Sequence, residues 1–158
     1  RSTHCPFDAY LVLIGLETLS ERVAKQVSNT LAVLEYLEQS EHVLWVRFPY
    51  AQGSKYRALA DRYFPKGAGS ILSFGFRGTE EQKRAFLASV KVFGYQANIG
   101  DARSLIINPA QTTHVELTEE QRLLVGLEVS TIRLSLGLES PKDLIEDLQQ
   151  AFDSVFQD

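Results

Sequence analysis

The feature that most constrains this chain is a run of apolar residues, Leu16, Leu19, Val23, Val27, Leu31, Leu34 and Leu37, spaced three or four apart within residues 9–39. That spacing returns each side chain to one face of an α-helix, so the segment predicts a long amphipathic helix whose apolar stripe must be covered. At a rise of about 1.5 Å per residue, such a helix spans roughly 45 Å. That exceeds what the core of a small domain requires, so one end is expected to have docked on something outside it. Gly15 interrupts the evenly apolar residues 10–16 and is read as a bend or a close backbone contact.

The rest of the chain alternates strand and helix signals. Residues 43–48 are β-branched and aromatic, apolar on both faces and stopped by Pro49, which predicts a buried strand. A short helix over 55–63 is ended by Pro65 and the Gly67, Ala68, Gly69 turn, which leads into a strand over 70–76. There Ile71, Ser73 and Gly75 alternate against Leu72, Phe74 and Phe76, a half-polar strand pattern. Thr79 with Gln82 has the spacing of a capping box, in which a hydroxyl and an amide each satisfy an orphan backbone donor; it starts a helix to about Val90. Thr118 with Gln121 opens another helix, closed by Gly126, and Ser140 followed by Pro141 opens the last. Strands are expected over 103–107 and 131–136. The resulting fold class is α/β (α+β), a two-layer sandwich with helices on one side of a small mixed or antiparallel sheet, and residues 1–158 read as a single domain.

With 44% hydrophobic and 23% charged residues, the chain has the balance of a packed globular protein. Its 16 basic and 20 acidic residues are scattered, with no basic run of the kind that neutralises phosphates, which argues against nucleic acid as a partner. No apolar stretch approaches the ~20 residues needed to cross a bilayer, and the start lacks the blocks of a signal peptide. A cytoplasmic setting, with no membrane partner, is the expectation. The lone Cys5 has no partner for an internal disulfide. The chain begins at Arg1 and contains no methionine, so it is expected to be a piece of a longer protein.

Self-sufficient catalysis finds little support. His4, His42 and His114 have no metal-ligand spacing, and packing or solvation accounts for them. No G-x-S-x-G elbow, H-E-x-x-H or phosphate-cradling G-x-x-x-x-G-K is present. Two signals stand out. Asn98, Asp101, Arg103, Ser104, Asn108, Thr112, Thr113 and His114 flank an apolar centre at Leu105, Ile106 and Ile107; this is either a binding cluster or a polar loop with turn residues. Arg133 lies mid-strand on the face opposite Ile132 and Leu134, where a guanidinium either grips an anion such as a carboxylate or sits on a solvated edge or in an ion pair.

Gly15, Leu16, Glu17, Thr18, Leu19 and Arg22; Pro65 to Gly69; Ala97, Asn98, Ile99, Gly100 and Asp101; Ser104 and Leu105; Pro109 and Ala110; Thr112, Thr113 and His114; and Arg133, Leu134, Ser135, Leu136, Gly137, Leu138 and Glu139 follow one another in order along the chain. Together they resemble the C-terminal third of the Cys/Met-metabolism enzymes dependent on pyridoxal 5'-phosphate (PLP), and within that family they are most similar to the O-acetylhomoserine sulfhydrylases. The resemblance implies a fold-type I transferase, oligomeric in full length, that replaces the acetoxy group of O-acetyl-L-homoserine with sulfide or a thiol in methionine biosynthesis. It implies that Arg133 grips the substrate α-carboxylate, that Asn98 contacts the same group and that Thr113 lies beside the pocket. The lysine that holds PLP belongs to an N-terminal domain with no counterpart here, so this stretch alone is expected to bind no cofactor and to be inactive. A freestanding amino-acid-binding regulatory domain is the alternative reading.

Overall fold

The computed structural model describes residues 3, 5–112, 118, 121, 124 and 128–156. The chain enters α1 (Pro6–Glu17) with proline in its first turn and the Cys5 Sγ accepting from the Asp8 amide. The helix then breaks at Thr18 (φ −110°, ψ 12°) and resumes as α2 (Leu19–Gln39). The single helix expected from periodicity is therefore two. The break falls three residues after Gly15, and a side chain there would meet nothing within 4 Å, so that glycine marks neither a bend nor a close contact. Arg22 explains the joint: its guanidinium donates to the Gly15 carbonyl at 2.8 Å and to the Thr18 hydroxyl, satisfying helix-end groups without continuing the helix.

Five strands follow: β1 (Val43–Arg47), β2 (Ile71–Phe76), β3 (Gly94–Tyr95), β4 (Leu105–Ile107) and β5 (Thr131–Ser135). They form one mixed sheet in the order β1-β2-β5-β4-β3, antiparallel except for the parallel β3–β4 pair. Helices α3 (Arg57–Tyr63), α4 (Glu80–Ser89) and α5 (Pro141–Asp153) complete the described elements. Leu72, Phe74, Phe76, Ile106, Ile132 and Leu134 point from the sheet into one core with Val33 and Leu37 of α2, Phe86 of α4 and Leu148 and Phe152 of α5. The Phe86 and Phe152 rings stack with centroids 4.5 Å apart, and Phe74 meets Phe86 edge-on. This is the expected two-layer arrangement.

Local signals were accurate where they were short-range. Thr79 and Gln82 make both capping-box bonds, and α5 starts on Pro141. Thr118 and Gln121 exchange the same pair of bonds, while Gly126 lies outside the described residues. The expected buried strand at 43–48 needs correction. β1 is an edge strand, and Leu44 is 47% exposed, so only part of the segment is enclosed. The two-residue β3 is too short to carry a periodic signal. β4 is shorter than the strand expected over 103–107, since Ser104 turns its backbone to a side chain instead of a ladder. His42 stacks on Phe156 at 4.2 Å, a packing role. No helix among the described residues is long and apolar enough to cross a membrane.

Candidate functional site

β5 is the middle strand of the sheet, which removes the solvated-edge reading of Arg133. Ile132 and Leu134 face the helices, and Thr131, Arg133 and Ser135 face the opposite side by the two-residue period of a strand. Arg133 lies beside Ser73 of β2 and Ile107 of β4, and Ser73 in turn is paired with Arg47 of β1. The half-buried guanidinium donates from Nη2 to the Asn98 main-chain carbonyl at 3.3 Å. Its Nε is buried with no partner. Burial pushes the group below the ordinary guanidinium value. Among the described residues no carboxylate lies in ion-pairing distance of it. A partly desolvated cation with an unfilled donor edge favours an incoming anion, and a carboxylate matches the fork of a guanidinium.

The loop that carries Asn98 is held rigidly. Asn98 accepts the Ile99 amide at 2.8 Å and donates to Asp101 at 3.1 Å, while Gly100 takes φ +74°. The Arg103 backbone amide, followed by the Arg103 guanidinium and the Asn98 amide, holds the Asp101 carboxyl at a pKa of about 2. Glu139 accepts both the Ser104 amide at 2.8 Å and the Ser104 hydroxyl at 2.7 Å, and that hydroxyl accepts the Gly137 amide at 2.8 Å. A Cβ on Gly137 would stand 2.4 Å from the Ala102 carbonyl, so only glycine permits this crossing. From α2, Gln26 donates to the Asp101 carbonyl at 2.9 Å, and Asn29 donates to the carbonyls of Gly137 at 2.9 Å and Glu139 at 2.8 Å. One helix thus ties the Asn98 loop to the end of β5 and keeps the loop carbonyl over Arg133.

The polar cluster expected over 98–114 is only partly convergent. Asn98 borders Arg133, but it is the Asn98 backbone that meets the guanidinium, its side chain being engaged by Asp101. Ser104 and Asn108 are buried and serve the loop itself; Asn108 accepts the Ala110 amide, and its carbonyl accepts the Thr112 hydroxyl. Arg103 stays largely exposed beside Asp101. Thr113 and His114 lie outside the described residues. Sequence reasoning missed Gln26, Asn29 and Glu139, although Gln26, Asn29 and Thr30 interrupt the helix face shared by Val33 and Leu37, a signal of buried polar contacts. It also missed a group on the same sheet face, where Trp45 lies against Gly75 and donates to Glu128 at 3.0 Å, with the Arg47 guanidinium 4.0 Å from the indole centroid and paired with Glu128. A cavity of about 680 Å³ beside Arg47, Gln52 and Lys55 does not include Arg133.

The model of the Cys/Met metabolism PLP-dependent enzymes matches residues 2–153. The chain belongs to this family. It is 40% identical over 148 residues to a homocysteine synthase of Schizosaccharomyces pombe, covering 94% of this chain and 34% of that protein. It is 38% identical to O-acetyl-L-homoserine sulfhydrylase 1 of Thermus thermophilus, covering 92% of this chain and 35% of that one. The solved structure of a cystathionine gamma synthase from Xanthomonas oryzae pv. oryzae, in complex with aminoacrylate and cysteine, superposes with a TM-score of 0.90 at 37% identity, covering 97% of this chain and 39% of that one. The chain thus spans about a third of the length of the curated relatives it matches.

The family's cofactor finds no attachment point among this chain's lysines. A Schiff-base lysine must present its amine to the cofactor, whereas Lys83, the buried one, is turned to Glu80 at 2.7 Å and to the Val129 carbonyl. Lys55, Lys66, Lys91 and Lys142 are exposed, and Lys25 lies half-buried on α2. These residues do not fit the cofactor, and no chemical step is assigned to them.

Proposed function

We propose that residues 1–158 are the C-terminal substrate-binding domain of an O-acetyl-L-homoserine sulfhydrylase, completed by an N-terminal PLP domain and working as a homo-oligomer. The full-length enzyme replaces the acetoxy group of O-acetyl-L-homoserine with sulfide or a thiol, and the cofactor chemistry belongs to the other domain. In this reading Arg133 receives the substrate α-carboxylate through paired N–H bonds, with Asn98 and Thr113 bordering the same pocket. The observation that carries it is the half-buried Arg133 with an unpartnered Nε, turned toward the Asn98 loop and free of any neighbouring carboxylate among the described residues. The sulfhydrylase and homocysteine synthase relatives support the substrate class.

In the full-length enzyme, Arg133→Ala is expected to lower kcat/KM by roughly 30-fold or more, about 2 kcal/mol, because it strips a partly buried carboxylate of its partner. An unchanged kcat/KM defeats the assignment.

A further inference from the structure

Lys83 occupies a core position. It lies on the same face of α4 as Phe86 and Leu87, at the spacing of one helical turn, and is 2% exposed. An apolar side chain would suit that position better, because a buried amine costs free energy unless polar partners surround it. Lys83 meets Glu80, one turn earlier, at 2.7 Å, and donates to the Val129 main-chain carbonyl. Glu80 in turn accepts from the exposed Gln111 side chain at 3.1 Å. Gln111 belongs to the turn that follows β4, where its amide donates to the Asn108 carbonyl. Val129 belongs to the turn that precedes β5, where the Thr131 amide donates to the Glu128 carbonyl. The first turn of α4 therefore holds the chain on both sides of the β4–β5 connection, where it leaves the sheet after Ile107 and where it returns at Thr131. Ile107 is paired opposite Arg133.

We propose that Lys83 and Glu80 are positioning residues, which clamp the chain after β4 to the chain before β5 and so fix the end of the sheet at which Arg133 meets the substrate carboxylate. The inference rests on the carboxylate reading of Arg133 given above. Fold stability does not account for the pair, since buried ion pairs replaced by apolar residues often leave stability unchanged or raise it. What such a pair supplies is a fixed register between segments, and Gln111 and Val129 lie outside the strands, with no ladder to set theirs.

Lys83→Met keeps an unbranched side chain in the core and leaves Glu80 with Arg84 and solvent. In this chain, without substrate, the variant is expected to speed amide hydrogen exchange at residues 111, 112 and 131 by about tenfold or more, with β2 and α5 unchanged. No acceleration, or equal acceleration in every element, overturns the clamp. In the full-length enzyme the KM for O-acetyl-L-homoserine is expected to rise about fivefold or more with kcat within about twofold, because a carboxylate grip acts equally in the ground and transition states. An unchanged KM overturns the positioning role, and so does an unfolding midpoint lower by about 5 °C or more, which makes the pair structural. In the Arg133→Ala background the same change should add less than about twofold to KM, since both act on one grip; the full effect there also overturns the proposal. Should Lys83→Met fail to fold, Gln111→Ala cuts one arm of the clamp at an exposed position. It is expected to raise KM about threefold and to speed exchange at residues 111 and 112 but not at 131, and the absence of either effect defeats the clamp. No substrate enters the exchange measurements, so a failure of the clamp is separate from a failure of the Arg133 assignment, which Arg133→Ala alone reads.

Discussion

The two faces of β5 differ in how far this chain satisfies them. Ile132 and Leu134 are 0% exposed and fill the space between sheet and helices, with every apolar contact supplied by this chain. On the other face Thr131 and Ser135 are equally enclosed, yet both hydroxyls and the Arg133 Nε lack partners. Strand, neighbours and twist are the same, so the difference lies in what each face was built to meet. The inner face is finished by folding, whereas the outer face keeps unused hydrogen-bonding capacity around a cation, a state tolerated where a ligand or another part of the protein supplies the missing groups.

That contrast can be broken at several strengths. Leu134→Ala removes a fully buried side chain from the inner face and is expected to destabilise this chain by about 2–5 kcal/mol, read by chemical denaturation; a loss below about 1 kcal/mol means the inner face is not the structural one. Arg133→Lys keeps the charge but loses the fork, and is expected to lower kcat/KM of the full-length enzyme by about tenfold, with the unfolding midpoint unchanged. Equal activity of the lysine variant makes Arg133 a point charge and not a bidentate clamp. Titration of this chain with O-acetyl-L-homoserine should give binding no tighter than about 1 mM, since one wall of a site offers little beyond a single ion pair. Micromolar binding turns the molecule into the freestanding sensor. Ser135→Ala, which removes an unpartnered buried hydroxyl, is expected to change stability by less than about 1 kcal/mol and in the stabilising direction.

The smallest effect concerns pH. The Asp101 carboxyl titrates at about 2 in the folded chain, below its ordinary value of 3.8, so its contribution is present above about 4 and is lost as pH falls through 2. Asp101→Asn should therefore flatten the acid limb of a stability profile between those values and leave neutral pH almost unaffected. An unchanged acid limb removes Asp101 from the loop's anchoring.

Much of the inner face was legible from spacing alone, and much of the outer face was not. The alternation of Leu72, Phe74 and Phe76 and the capping pair Thr79 and Gln82 both behave as their local pattern predicts. The position of Arg133 on the polar face of its strand was equally readable. Its partners were not. Asn29 reaches Gly137 across 108 residues and Ser104 reaches Glu139 across 35, and no local pattern encodes such pairings. The stripe from Leu16 to Leu37 divides the same way: its period is that of a helix, yet only Leu34 and Leu37 are buried, while Leu16, Leu19, Val23 and Leu31 remain open.

By itself, then, the order of residues determined where most helices and strands lie and the apolar side of β2 and β5, because hydrogen bonds and contacts within about four residues decide those. Only the tertiary structure decided that β5 is central and β1 an edge, that the helix breaks at Thr18 and that the Asn98 carbonyl rests on the Arg133 guanidinium. Those outcomes depend on which distant surfaces exclude water from one another, and that is a property of the whole packed chain.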